Sequence, residues 1–355
     1  MLKERQVFFD AYRGIGACII VFYHLLNTFG LQGCKGSSFY FVLEDIYKVG
    51  YLPVEFFYFT SGYFIYQIYY EKIKLQKIDF STFMRKRVAK IYPMFLFSTF
   101  IQVILEIYKG RIFTLFDIIS NILLLQCGFF KQEKAWRTDI NGVTWFIVPL
   151  LICYIIFYFL VKKCRDEKSF FYTVCSIVVT VMAFYNWGLN IPILNAYVLR
   201  GILGFFLGIA FFEIYSRNRE LLRKKRILVI LIGVAVLLFL HRDIRKDSYG
   251  ASMLITMVSL TAIPTIIIIT DNVIWIRKIV ENKILEIIGM LSMEIYFFHW
   301  PIMTIFMWFW RKDEVTYVGY LEMLTLIVVI VAILKFVVFK MVRLMKKSSN
   351  LLELQ

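Results

Sequence analysis

Residues 10–30 read DAYRGIGACIIVFYHLLNTFG, an apolar run that carries an arginine, Arg13, and a histidine, His24, with ten residues between them. At about 100° per residue, eleven steps turn roughly 1100° and return to within about 20° of the start, so both side chains share one helix face, about 16 Å apart along the axis. A run this long can cross a bilayer. Ionisable groups inside a span are costly and point to a bundle interior and a functional path. The plain alternative is an Arg13 that anchors the edge of the span and a His24 hydrogen-bonded inside it. On this pair alone the two readings weigh evenly.

Working outward, composition sets the class. Of 355 residues 60% are hydrophobic and only 19% charged, which does not describe a soluble domain with a wet surface. Long apolar runs recur at 12–30, 51–70, 91–108, 142–161, 169–187, 197–215, 227–241, 251–270, 287–310 and 319–342. The expectation is an all-α polytopic membrane bundle of about ten transmembrane helices. These runs are too long and continuous for a β-barrel. The longest hydrophilic stretches are too short for a soluble domain, so the whole chain, 1–355, reads as one integral-membrane domain. The amino-terminal stretch MLKERQVFFD is followed by no small-residue cleavage site, so the first span is expected to stay in the protein.

The net charge of +16 is topological. Most of the 41 Lys and Arg gather in loops on one side, among them Lys72–Lys90, KKCRDEK from Lys162 and RNRELLRKKR from Arg217. Positive-inside bias places those loops and both termini in the cytoplasm, as expected of a multi-pass plasma-membrane protein. It also removes the reason to invoke nucleic acid. One segment, FTLFDIISNILLLQCGFF at 113–130, is apolar enough to be a span but would break this pattern. It reads as a re-entrant or interfacial helix. The six cysteines show no metal spacing and the three histidines have no acidic cluster beside them, so no metal site is expected.

Further polar groups interrupt the apolar runs. VEFFYFTSGYFI places Glu55 near the outer edge of the second span, with Ser61 and Gly62 deeper, where the glycine can admit a neighbouring helix. Arg85 and Arg87 precede the third span, with Pro93 in its expected first turn. IGMLSMEIYFFHWPI carries Ser292, Glu294, Tyr296, His299 and Pro301. A carboxylate and an imidazole in one apolar run suggest an interior polar site.

Together these elements resemble acyltransferase family 3, the membrane enzymes that include bacterial polysaccharide O-acetyltransferases. Asp10, Arg13, Gly14, Ala17, Val21 and His24 resemble the family's first-span motif. Val54, Phe56, Phe57, Ser61 and Gly62 resemble its second, with Glu55 where the family has aspartate. Arg85, Arg87, Ile91 and Pro93 resemble the third element, and Gly289, Ser292, Ile295, Tyr296, His299 and Pro301 the last. Trp145, in VTWFIVPLL, resembles the tryptophan that opens a mid-protein span, although the acidic residue expected after it is missing.

The resemblance implies transfer of an acyl group, usually acetyl from acetyl-CoA, to a hydroxyl of a cell-envelope glycan or lipid-linked saccharide. The donor is a substrate, and no permanently bound cofactor is expected. Arg13, Arg85 and Arg87 fall at the cytoplasmic edge, where planar guanidinium forks could hold donor phosphates. His24 could meet the thioester either as general base or as a covalent acyl carrier. Glu55, Ser61, Trp145, Tyr296 and His299 are candidates for the acceptor side or for structural polar contacts. The competing class is a secondary transporter or oligosaccharide flippase, which inverted repeats or paired broken helices would favour; neither is evident in the sequence.

Overall fold

The structure is a computed structural model that describes residues 7–132, 135–224 and 248–352, with 229 and 233 between them. Among these residues the chain is helical except for short connections and one hairpin. Seven helical stretches among the described residues are long and apolar enough to cross a membrane: Val7–Phe29, Phe80–Tyr108, Thr144–Lys163, Glu167–Asn186 (α7), Ala196–Glu220, Ala251–Asn272 and Tyr317–Phe336. Two other expected spans are also helices, Pro53–Lys74 and Lys283–Phe306, but polar residues hold them below that apolar standard. The first carries Glu55 and five tyrosines, and the second Glu294, His299 and Pro301. The run expected to span at 227–241 lies outside the described residues, apart from 229 and 233.

The helices sort into two compact units, one comprising Met1–Phe9 and Leu52–Asn282 and the other Asp10–Tyr51 and Lys283–Gln355. In the larger unit, α3 (Pro53–Lys74) and α8 (Ala196–Lys224) pack along their lengths. Glu55 meets Arg200 at their first turns, Gly62 faces Phe205 midway, and Tyr66 meets Glu213 near the far end. The two helices therefore run parallel. A Cβ on Gly62 would lie 1.9 Å from the Phe205 carbonyl oxygen, and one on Gly208 1.9 Å from that of Phe59, so both glycines are needed for this approach. Helix α6 (Ile147–Lys163) runs the same way, with Pro149 against Gly201 and Phe157 against Phe205. Helix α4 (Phe80–Tyr108) runs opposite to α6, since Phe83 packs on Phe157 while Asn141, ahead of α6, donates to Ser98.

Antiparallel α4 and α6 leave no room for a crossing between them, so the segment 113–130 returns the chain to the end of α4 from which it left. Its form differs from the single helix expected there. Only Leu115–Ile122 is helical (α5), capped by Thr114 and Asp117, and about 12 Å long at 1.5 Å per residue. A left-handed turn at Leu124 (φ 57°) ends the helical path. Cys127–Gln132 (β1) then pairs antiparallel with Ala135–Arg137 (β2), a small exception to the all-α expectation. Helix α5 is inside out: Leu115, Phe116, Ile119 and Ile122 are exposed, whereas Ser120 and Asn121 are buried. Asn121 donates to the Thr138 carbonyl at 2.8 Å and accepts from the Ile140 N–H. An apolar face turned outward and a hydrogen-bonded polar face turned inward suit a helix whose surroundings are lipid.

Helix α4 also starts earlier than the sequence suggests. Asp79 caps it, accepting from the Thr82 N–H, so Pro93 lies in the helix interior and not in its first turn. An interior proline costs the helix one hydrogen bond and crowds the preceding turn.

The smaller unit joins α1 (Val7–Phe29) from Asp10 onward to α2 (Tyr40–Val49), α12 (Lys283–Phe306) and α13 (Tyr317–Leu352). Between α8 and α12 the larger unit ends with α9 (Ser248–Met257), a π-helical stretch at Val258–Ala262, α10 (Ile263–Asn272) and α11 (Ile274–Val280).

Candidate active site

The first and last motif elements form one seam. Helices α1 and α12 pack in parallel with a constant offset. A Cβ on Gly14 would sit 2.7 Å from the Gly289 nitrogen, and one on Gly289 2.1 Å from the Asp10 carbonyl oxygen. Further along, the rings of His24 and His299 stack at 5.3 Å with 29° between their planes, and Thr28 reaches the Met303 sulfur at 3.4 Å. Contacts at 14 with 289, 24 with 299 and 28 with 303 fit the 3.5-residue repeat of two helices wound about each other. Ala17 and Val21, and Ser292 and Tyr296, are the buried positions between them. The motif residues are thus the seam of a helix pair that two glycines hold at close range.

That seam sets two imidazoles face to face. His24 is half-buried and also meets the Trp300 ring edge-on at 5.2 Å, while His299 is fully buried and meets Tyr296 at 5.9 Å. His299 Nδ1 lies 3.1 Å from the Ile295 carbonyl oxygen. A carbonyl can only accept, so Nδ1 carries the proton and the lone pair of a neutral ring sits on Nε2. Among the described residues Nε2 is buried with no partner. A buried acceptor without a donor costs about 1–3 kcal/mol and calls for an explanation. Arg13 lies on the same unit, in a long ion pair with Asp10 at 3.5 Å. Glu294 is held by Lys335 at 2.8 Å, and Lys335 also donates to the Met290 carbonyl, a partner the sequence reading did not foresee.

The remaining candidates belong to the larger unit and form separate groups. Glu55, fully buried, pairs with Arg200, whose guanidinium lies over the Trp145 ring at 5.2 Å. Trp145 stands in a 3₁₀ turn, Thr144–Phe146, that leads into α6. It also meets Tyr197 at 5.4 Å, and Arg137 covers both rings while gripping Asp139 through two nitrogens at 2.7 and 2.5 Å. Burial disfavours the charge on Arg137, but the Asp139 carboxylate more than offsets this and holds the guanidinium ionised. Ser61 donates to the Phe57 carbonyl at 2.7 Å, a local contact within α3, and the neighbouring Gly62 serves helix packing. Arg87 donates to the Tyr69 hydroxyl and lies 4.6 Å over its ring, while Arg85 is exposed.

Comparison with known proteins decides the family. Residues 6–340 match the profile of an acyltransferase domain, that of acyltransferase family 3. The chain belongs to acyltransferase family 3. It is similar to the O-acetyltransferase OatA of Staphylococcus aureus strain NCTC 8325 / PS 47, at 22% identity over 349 residues, covering 89% of this chain and 53% of that protein. OatA of strain COL matches equally. The chain therefore spans about half the length of these curated relatives. No solved structure matches it significantly.

Within this family member the structure adds Arg200, Arg137, Asp139 and Tyr197 around Trp145, none of which the sequence reading singled out. A signal was available for one of them: Arg200 interrupts the apolar run NAYVLRGILGFF just as Arg13 interrupts the first. Glu55, the second motif's acid, reaches the tryptophan through Arg200.

Proposed function

We propose that the protein is a plasma-membrane O-acyltransferase that moves an acetyl group from cytoplasmic acetyl-CoA to a hydroxyl of a cell-envelope glycan or lipid-linked saccharide. The observation that carries this reading is the His24–His299 stack, in which His299 Nε2 is buried with no partner among the described residues. In the proposed chemistry the neutral His24 imidazole takes the proton of the acceptor hydroxyl while that oxygen attacks the thioester carbonyl. The carbon–sulfur bond then breaks, and the proton passes to the departing thiolate of CoA. His299, fixed in one tautomer by Ile295, offers its Nε2 as a second acceptor and orients the reacting groups. The alternative route, acyl transfer onto a histidine nitrogen before the acceptor arrives, uses the same pair.

Arg13, Arg85 and Arg87 are assigned to the donor's phosphates, and the Glu55–Arg200–Trp145–Tyr197 group to the acceptor side, where an aromatic face with flanking charged groups suits a sugar ring. The whole chain is taken as a single membrane domain of about ten spans with both termini cytoplasmic. The parallel α1 and α12 pair supports that count, since parallel helices need an odd number of crossings between them and the ten-span order supplies seven. The test is thioester loss from labelled acetyl-CoA by purified protein in lipid nanodiscs, followed by mass spectrometry of envelope glycans with and without the gene. Label arriving on a glycan supports the reading. Glycan movement without thioester loss would replace it with transport.

A further inference from the structure

Where α3 gives way to α4 the chain folds back on itself. Gln76 takes a left-handed conformation (φ 54°), and Lys77 donates its N–H to the Lys72 carbonyl at 2.8 Å. Such a backbone is uncommon for a residue other than glycine. The turn opens a cleft of about 420 Å³ lined by Tyr69 and Lys72 from α3, Gln76, Lys77, Ile78 and Asp79 from the turn, and Thr82 and Lys86 from α4. Three ammonium groups border this hollow, and among the described residues none of them is paired with a carboxylate. Asp79, the only acid on its wall, is committed to capping α4, and its hydrogen bond to Thr82 holds the carboxyl below its ordinary range. The lining is therefore net cationic at neutral pH. Lys72 stands 5.5 Å from the Tyr69 ring, and Arg87 packs on that ring from α4 without itself lining the cleft.

Converging like charges around a concave surface are unfavourable unless an anion completes them. Ammonium groups act as point charges toward phosphate and tolerate several geometries, which suits an end of a ligand that is held but not reacted. We propose that Lys72, Lys77 and Lys86 form the binding site for the phosphate-bearing nucleotide end of the acyl donor, with Arg87 supporting the Tyr69 wall in place of contacting phosphate directly. This rests on the acyl-CoA reading above and moves the phosphate contacts given there to Arg85 and Arg87 onto the three lysines, leaving the assignment of Arg13 as it stands. The volume is that of an ordinary small-molecule pocket. A lipid headgroup shares the phosphate chemistry, and the experiment separates the two sources.

The full chain in phosphatidylcholine nanodiscs is titrated with coenzyme A, as wild type, as Lys72→Gln, Lys77→Gln and Lys86→Gln singly and together, and as Lys162→Gln/Lys163→Gln for a change of charge elsewhere. Each single substitution is expected to weaken binding about two- to five-fold, as for partly exposed ion pairs. The triple variant should lose more than tenfold and show a flatter salt dependence, with the control unchanged. Wild-type affinity in the triple variant would overturn the assignment. So would phosphatidylglycerol that co-purifies with the wild type and is lost from the triple variant while CoA binding stays the same. In initial-rate assays the triple variant should show a raised KM for acetyl-CoA, while Lys162→Gln/Lys163→Gln keeps the wild-type KM. A wild type that binds CoA through these lysines yet transfers nothing would refute the acyltransferase reading and leave the cleft assignment standing.

Discussion

Gly289→Ala perturbs the proposed chemistry without touching it. The new methyl would stand 2.1 Å from the Asp10 carbonyl oxygen and 2.4 Å from its carbon, and both are backbone atoms that cannot rotate away. Restoring an ordinary contact of 3.4 Å requires the helices to part by about 1.3 Å at this point. Overpacking of this kind costs about 1–3 kcal/mol. Ten residues further along both helices lies the imidazole stack, and a displacement of about 1 Å there lowers the rate of a well-oriented reaction by about 100-fold. In an isolated helix the same change would stabilise by about 1 kcal/mol, because alanine is the better helix former. The two effects have opposite signs, which makes the experiment decisive. Thermal unfolding in detergent and initial rates of thioester loss are measured for Gly289→Ala beside Gly319→Ala, whose methyl would meet only side-chain atoms, Val315 at 3.2 Å and the Thr316 hydroxyl at 3.8 Å. The expected result is a destabilised, slow Gly289→Ala protein and a near-normal Gly319→Ala protein. A Gly289→Ala protein that is more stable and equally active would refute the seam.

Three more outcomes follow from the same geometry. If Arg13 holds a donor phosphate through its planar fork, Arg13→Lys should weaken CoA binding, whereas Arg85→Lys should be silent because the three lysines hold the nucleotide end; a silent Arg13→Lys in the same titration favours simple anchoring. Glu55→Gln should destabilise by about 3–5 kcal/mol, since it leaves Arg200 uncompensated in a buried setting, and the double change Glu55→Gln/Arg200→Met should recover part of that loss in thermal unfolding. Single cysteines at positions 109 and 131, in a background lacking the native six, should label equally with an impermeant reagent on intact cells, because α5 returns the chain to the same end of the bundle. Opposite labelling would make 113–130 a true span.

Much of this was legible in the sequence because the informative residues are polar groups in apolar runs. Arg13 and His24 share a face by spacing alone, and the late element around His299 could be singled out the same way. What spacing cannot give is which spans face each other. The glycines at 14 and 289 carry that information, but it appears only when two helices separated by 275 positions are laid together. Glu55 and Arg200 each interrupt an apolar run, but that the two pair could not be read from spacing, for the same reason. The hairpin at 127–137 was missed because the short apolar pieces ILLL and CGFF suit a buried helix as well as a strand, and the early start of α4 was hidden by the basic run that follows its Asp79 cap. The lysines of the α3–α4 turn read as topological charge. Their concave arrangement depends on the left-handed Gln76, which no local pattern announces.

The measurement that tests the account most directly is acetyl transfer by His24→Ala. The protein is extracted, reconstituted and checked for unchanged thermal unfolding, and release of CoA from labelled acetyl-CoA is followed at saturating donor in the presence of envelope glycan. Loss of a general base lowers the rate by about 10²–10⁴-fold, and that loss with retained folding and donor binding is the predicted result. A His24→Ala protein working within a few-fold of the wild type would contradict the account, since the imidazole pair would then have no part in the chemistry.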